Sequence, residues 1–156
     1  MRSIKAIALD VDGVLTDGTF WWGPDGQEWK RFSFRDVMGI CRARRTGTIF
    51  ALISGENSPL VDRFAEKVGI ESRDIFKGCK DKDKALQKFE ASRGLELGEI
   101  AFMGDDINDL AAMRLAGWCA APADGHVQAR QTAGFVSQSR GGQGAVREFL
   151  DHLGMI

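Results

Sequence analysis

The sequence predicts an α/β protein, a three-layer, doubly wound parallel sheet of Rossmann-like type with helices on both faces and a projecting β-hairpin. Short apolar runs alternate with longer stretches of helical periodicity along the chain. Those runs are continuous rather than alternating, as strands buried on both faces are. One aromatic-rich segment, about residues 18–35, interrupts the alternation around a strong turn signal.

The first apolar run, residues 4–9, is the length of a buried strand and ends abruptly in Asp10-Val11-Asp12-Gly13. The interrupting segment follows, with two aromatic arms flanking Gly23-Pro24-Asp25-Gly26, Pro second and Gly last as a β-turn prefers. Further strands are expected at 48–53, 74–76, 99–103, 117–120 and 134–136. Helices are expected at 37–46, 58–68, 82–93, 107–116, 125–131 and 144–153. Glycines at 47, 69, 94 and 117 stand where helices should stop. Connections of a few residues between strand and helix favour parallel pairing. With no repeat, linker or low-complexity tract, residues 1–156 are expected to form a single domain.

A lone hairpin is marginal in water. This one carries Phe20, Trp21, Trp22, Trp29, Phe32 and Phe34. Part of that surface is expected to pack on the body and the rest on another subunit, which makes a homo-oligomer.

Hydrophobic residues make up 44% of the chain and charged residues 28%, the balance of an ordinary globular protein. A formal net charge of -1 leaves no basic surplus for phosphate backbones, so nucleic acid is not the expected partner. An anionic substrate would have to be drawn in by a metal and a few local cations. Cys41, Cys79 and Cys119 are scattered and in no metal-ligand spacing, as expected of reduced thiols in a cytoplasmic protein. Lys5 and Asp10 interrupt any signal-peptide core, and no stretch reaches the length of a membrane span.

Four points share one geometry, each at or just past the end of an expected strand. They are Asp10-Val11-Asp12, Ser54-Gly55, a lysine within Gly78–Lys84, and Gly104-Asp105-Asp106-Ile107-Asn108-Asp109. In a doubly wound sheet these edges converge on one crevice. Singly, each has a plainer explanation: a turn, a helix cap, a solvated lysine-rich face. Together they supply the parts for phosphoryl transfer. A carboxylate can attack phosphorus, and a second can move the proton. Mg²⁺ prefers oxygen ligands and neutralises both anions, while a hydroxyl, backbone amides and an ammonium hold phosphate oxygens.

On these residues the chain resembles the haloacid dehalogenase superfamily of phosphohydrolases. A closer resemblance covers nearly the whole chain, to the 3-deoxy-D-manno-octulosonate 8-phosphate phosphatases. It is carried by Asp10 to Gly18, the hairpin with Asp25-Gly26, Arg35-Asp36 before Gly39-Ile40, and Arg140 to Glu148. The resemblance implies Asp10 as nucleophile, Asp12 as general acid/base, and Ser54 and Lys82 as phosphate-holding groups. Spacing to Gly78 together with the pattern of the resembling family favours Lys82 over Lys80 and Lys84. It further implies Mg²⁺ held by the Asp10 side chain, the Asp12 backbone carbonyl and Asp105, with Asp106 and Asp109 in support. Gly55, Glu56, Lys67, Arg140, Thr16 and Asp36 are the positions expected to meet substrate. The family's tetramers, assembled through their hairpins, agree with the aromatic argument.

Many superfamily relatives carry a cap domain over the site. Here one hairpin and one helix use up the chain between Asp12 and Ser54, and a helix and a short strand use up the next interval to Lys82. No cap fits, and a neighbour's hairpin or C-terminal segment is expected to close the site. Arg140 is expected to meet a substrate carboxylate. One position departs from the family: octulosonate phosphatases usually have Gly-Arg after the hydroxyl, where this chain has Gly55-Glu56. An unpaired carboxylate there would repel an anionic substrate, and Lys67 is its expected partner. Glu at this place resembles phosphatases of nine-carbon ulosonates, of the deaminoneuraminate or N-acylneuraminate type. The same fold also forms part of some acylneuraminate cytidylyltransferases, but no nucleotide-binding portion is present here. The expected substrate is 3-deoxy-D-manno-octulosonate 8-phosphate, with a nine-carbon ulosonate 9-phosphate next and a non-catalytic module after it. A signalling receiver domain would place its acceptor Asp where Ser54 stands, and does not fit.

Overall fold

The structure is a computed structural model describing residues 3–156. Its elements in chain order are β1 (Ala6–Leu9), β2 (Trp21–Trp22), β3 (Glu28–Trp29), α1 (Phe34–Arg45), β4 (Ile49–Ile53), α2 (Pro59–Val68), β5 (Ile75–Phe76) and α3 (Lys82–Arg93). They continue with β6 (Ile100–Met103), α4 (Leu110–Leu115), β7 (Trp118–Ala121), α5 (Val127–Thr132), β8 (Phe135–Val136) and α6 (Ala145–His152). Six strands form one parallel sheet in the order β5-β4-β1-β6-β7-β8.

The continuous apolar character of β1 has a direct cause. Ile7 and Leu9 point to the face covered by α1, α2 and α6, and Ala6 and Ala8 to the face covered by α3, α4 and α5. Period-two alternation thus feeds two cores rather than one core and solvent. Phe50, Phe89, Phe102 and Phe149 are the largest fully enclosed side chains. Each contributes about 2 kcal/mol by leaving water, and together they fix the helices against the sheet.

β1 lies between β4 and β6, because the chain first winds outward through β4 and β5 and then crosses back to begin β6. That reversal opens a crevice at the C-terminal end of β1. The peptide N–H of Asp10 donates to the Met103 carbonyl at 3.0 Å, so the first carboxylate stands where the ends of β1 and β6 meet.

Several boundaries move. Helix α1 begins at Phe34 rather than 37, because Ser33 caps it by accepting from the Arg35 N–H, bringing Arg35 and Asp36 into the helix. A 3₁₀ turn over Ile107–Asp109 precedes α4, which starts later than expected. Gly69 and Gly94 end α2 and α3 in the left-handed conformation, but Gly117 does not act as such a cap. A Cβ there would lie 2.5 Å from the Gly98 carbonyl, so close backbone approach is what requires glycine.

The hairpin forms around its turn, with Trp21 opposite Trp29 and Trp22 opposite Glu28, but each paired arm is only two residues long. Phe32 stacks on Phe64 of α2, with ring centroids 4.7 Å apart. Phe20, Trp21, Trp22, Trp29 and Phe34 remain 49% to 69% exposed.

Candidate active site

Asp10 sits one residue beyond β1 and is buried. Lys82, the first residue of α3, is 2% exposed, and its ammonium donates to Asp10 Oδ1 and to Asp109 Oδ1, each at 2.6 Å. Asp109 is held in turn: its Oδ2 accepts the backbone N–H groups of Asp105 and Asp106 at 2.9 and 3.1 Å. Asp106 is exposed, and its Oδ1 accepts the Ile107 N–H at 2.7 Å. Carboxylate oxygens of Asp10, Asp105 and Asp109 lie within 4.8 Å of one another.

Three acidic groups thus share one ammonium. Burial, then repulsion from Asp109, pushes the Asp10 carboxyl well above the usual range against the pull of Lys82. Burial, then repulsion from Asp10 and Asp109, does the same to Asp105, whose carboxyl also hydrogen-bonds that of Asp10. For Lys82, burial favours the neutral amine, but Asp10 and Asp109 outweigh it and hold the ammonium charged. Both Asp109 oxygens are engaged, so Asp10 and Asp105 are the acids left to take a cation. An all-oxygen set of closely spaced carboxylates with uncompensated negative charge fits a hard divalent ion such as Mg²⁺.

Asp10, Lys82 and Asp105 line a cavity of about 290 Å³ together with Asp12, Gly18, Gly55, Glu56, Asp106 and Asn108. Ser54 is wholly buried behind this wall, and its hydroxyl accepts the Glu56 N–H at 3.1 Å, turning the Gly55-Glu56 backbone toward the cavity. The Glu56 carboxylate has no ion-pair partner among the described residues. A second cavity of about 280 Å³ shares Asp12, Gly18 and Glu56 and runs under the hairpin to Phe20, Trp22, Glu28 and Lys30.

Four expected substrate positions lie elsewhere in the protomer. Thr16 is buried, and its hydroxyl accepts the N–H groups of Gly13 and Gly18, so it shapes the loop after β1. Asp36 is fully buried on α1 and accepts the N–H groups of Gly144 and Arg147 at the start of α6. Lys67 does not face Glu56, since its ammonium lies 5.3 Å from the Phe34 ring centroid and it lines a separate cavity with Cys41, Arg44 and Arg45. Its place near the far end of α2 turns it away from the helix start that Glu56 precedes. Arg140 is exposed and paired with Asp124 at 3.3 Å. Its neighbours press on the loop after β1: the Gly142 N–H donates to the Val14 carbonyl, and a Cβ on Gly141 would overlap the Gly13 carbonyl.

Lys30 escaped the sequence-based expectations. Its ammonium is 2.7 Å from Asp12 Oδ1 and 3.4 Å from Glu28 Oε1. Burial favours the neutral amine, but the two carboxylates win and raise its pKa. The available signal was the i, i+2 spacing of Glu28 and Lys30, which puts both on the hairpin face opposite Trp29.

Comparison with known proteins bears on this geometry. Residues 69–150 match the model of the haloacid dehalogenase-like hydrolases. The chain is 34% identical over 152 residues to the 3-deoxy-D-manno-octulosonate 8-phosphate phosphatase of Escherichia coli strain K12, spanning 97% of this chain and 80% of that protein. Among solved structures it is similar to the Moraxella catarrhalis enzyme of the same name, crystallised with magnesium, phosphate and KDO. The TM-score there is 0.92 at 38% identity, over 96% of this chain and 85% of that one. The cobalt-bound Haemophilus influenzae deoxy-D-mannose-octulosonate 8-phosphate phosphatase superposes with a TM-score of 0.92 at 33% identity, covering 97% and 87% of the two chains. With its sheet order, its carboxylate cluster and these likenesses in agreement, the chain belongs to the haloacid dehalogenase-like hydrolases and, within them, to the family of the 3-deoxy-D-manno-octulosonate 8-phosphate phosphatases.

Proposed function

We propose that this phosphoric monoester hydrolase removes phosphate from a phosphorylated 3-deoxy-2-ulosonic acid, foremost 3-deoxy-D-manno-octulosonate 8-phosphate, through an aspartyl-phosphate on Asp10. The observation that carries it is the buried Asp10 carboxyl at the crevice, bonded to Lys82 and adjoining Asp105 on the wall of one cavity. The Asp10 side chain, the Asp12 backbone carbonyl and Asp105 would hold Mg²⁺, with Asp106 and Asp109 supporting. When bound, the ion offsets carboxylate and phosphate charge so that the two anions can approach.

Asp10 attacks phosphorus, and the bond to the sugar oxygen breaks as Asp12 gives that oxygen a proton. Water then attacks the phosphorylated Asp10, with Asp12 taking its proton back. Lys82 and the amides near Ser54 and Gly55 bind non-bridging oxygens as charge develops. Asp109 keeps Lys82 aimed at Asp10.

The unpaired Glu56 on the cavity wall favours a second reading, a nine-carbon ulosonate 9-phosphate whose extra hydroxyl or amide would donate to that carboxylate. The whole chain, residues 1–156, is taken as one capless catalytic domain with the hairpin inserted at about 18–35. It would work as a cytoplasmic homotetramer in which a neighbour closes the site. Among the described residues no helix is long and apolar enough to cross a membrane.

Side-by-side kinetics with Mg²⁺ on octulosonate 8-phosphate and nine-carbon ulosonate 9-phosphates test the proposal. At least one ulosonate should exceed simple sugar phosphates clearly, and Asp10→Asn should abolish turnover. Equal, poor rates on every ester would sink the substrate class. An active Asp10→Asn variant would sink the mechanism.

A further inference from the structure

A continuous polar chain joins the hairpin to Asp12. Trp22 and Glu28 are cross-strand partners, and the Trp22 Nε1–H donates to Glu28 Oε2 at 3.2 Å. Glu28 Oε1 lies 3.4 Å from the Lys30 ammonium, which lies 2.7 Å from Asp12 Oδ1. The Lys30 side chain is 4% exposed, although Trp22 beside it is 69% exposed. Taking an ammonium out of water is costly unless carboxylates surround it. So the hairpin encloses this cation only while Asp12 and Glu28 are in place. Among the described residues Lys30 supplies the only hydrogen bond to the Asp12 carboxylate. That bond occupies Oδ1 and leaves Oδ2 unengaged.

We infer that Lys30 is a positioning residue, fixing the Asp12 carboxyl in one orientation for both of its proton transfers and coupling that orientation, through Glu28 and Trp22, to the seating of the hairpin. The inference rests on Asp12 being the general acid/base, as proposed above. Lys30 keeps its proton throughout. Asp12 donates a proton to the departing sugar oxygen and regains one from the attacking water. A free Asp12 side chain would sample several rotamers, and misplacing a proton donor by about 1 Å costs on the order of 100-fold in rate.

The test compares wild type with Lys30→Met, Lys30→Gln and Asp12→Asn on two Mg²⁺-dependent esters, a sugar phosphate and 4-nitrophenyl phosphate. Nitrophenolate leaves without a proton, so its release in the first turnover needs no acid, whereas sugar release needs the protonated Asp12 and hydrolysis of the phosphorylated Asp10 needs the ionised Asp12 to take the proton of the attacking water. Lys30→Met is expected to lower kcat on the sugar phosphate about 10- to 100-fold with KM within about twofold. It should retain a rapid first-turnover burst of nitrophenolate ahead of a slowed steady state. Lys30→Gln, which keeps a neutral donor, should fall between Met and wild type and provides the same readouts if the Met variant does not fold. Unchanged kcat, or an equal loss in burst and steady state on both esters, would overturn the role of Lys30 while Asp12→Asn still shows a burst without turnover. Absence of that burst in Asp12→Asn would instead overturn the acid/base assignment beneath it.

Discussion

Asp10 and Asp105 stand too close to be charged together without a cation, and Lys82 alone does not satisfy them and Asp109. Both carboxyls are pushed up, by burial first and by mutual repulsion next. Without a cation both acids are thereby shifted toward their protonated forms. A divalent cation must displace those protons, so its binding is expected to release protons and to weaken as pH falls. Calorimetry of Mg²⁺ binding in buffers of different ionisation enthalpy would measure this. A binding heat independent of buffer would mean that the acids are already ionised. Asp10, Asp12 and Asp105 were legible because each stands just past the end of an apolar strand, whereas choosing Lys82 among its neighbouring lysines also took the family pattern. Lys30 was not, because its partner lies far back in sequence and only the folded hairpin lowers it onto Asp12.

At the scale of elements, Asp36 does different work from the substrate contact expected of it. It joins α1 to the start of α6, accepting the Gly144 and Arg147 N–H groups at 3.3 and 2.9 Å. Burial pushes its pKa up to about 6 from 3.8, although those amides pull it down. The native state then binds this proton more tightly than the unfolded chain does. The resulting stabilisation is complete below about pH 3.8 and is lost as pH rises through about 6, amounting to about 3 kcal/mol at most. Asp36→Asn removes this dependence. The unfolding free energy of wild type minus that of Asp36→Asn should therefore decline between pH 4 and 6 in urea titrations. A flat difference would show that Asp36 titrates alike in both states. The neighbouring Arg35-Asp36 and Arg140 to Glu148 motifs were legible as pattern. Their joint purpose was not, because the two segments meet only when α6 packs on α1.

For the whole molecule, the hairpin leaves Phe20, Trp21, Trp22 and Trp29 each about half exposed or more, Phe20 and Trp22 along the cavity that reaches Asp12, and Phe34 at the start of α1 is exposed as well. Such surface gains little while it faces water and is expected to be covered by a second copy. Replacing Trp21 and Trp22 by Glu should dissociate the assembly and depress activity together, read by light scattering on the eluting species and by turnover on the same fractions. A fully active monomer would defeat the link between assembly and catalysis. Lys67, beside Phe34 rather than Glu56, lies on this outward-facing side of α1 and α2.

By itself the sequence determined the parallel sheet, the helices on both faces, the hairpin and the four strand-end points that meet at one cavity. These follow from local hydrophobic period and from where apolar runs stop at polar residues, information that a short window contains. Only tertiary structure decided which acids share Lys82, that Thr16 and Asp36 brace loops and helices, that Lys67 faces Phe34 rather than Glu56, that Arg140 pairs with Asp124, and that Lys30 reaches Asp12. Those outcomes depend on which side chains burial forces together across long sequence separations, where one charge is left to neutralise another.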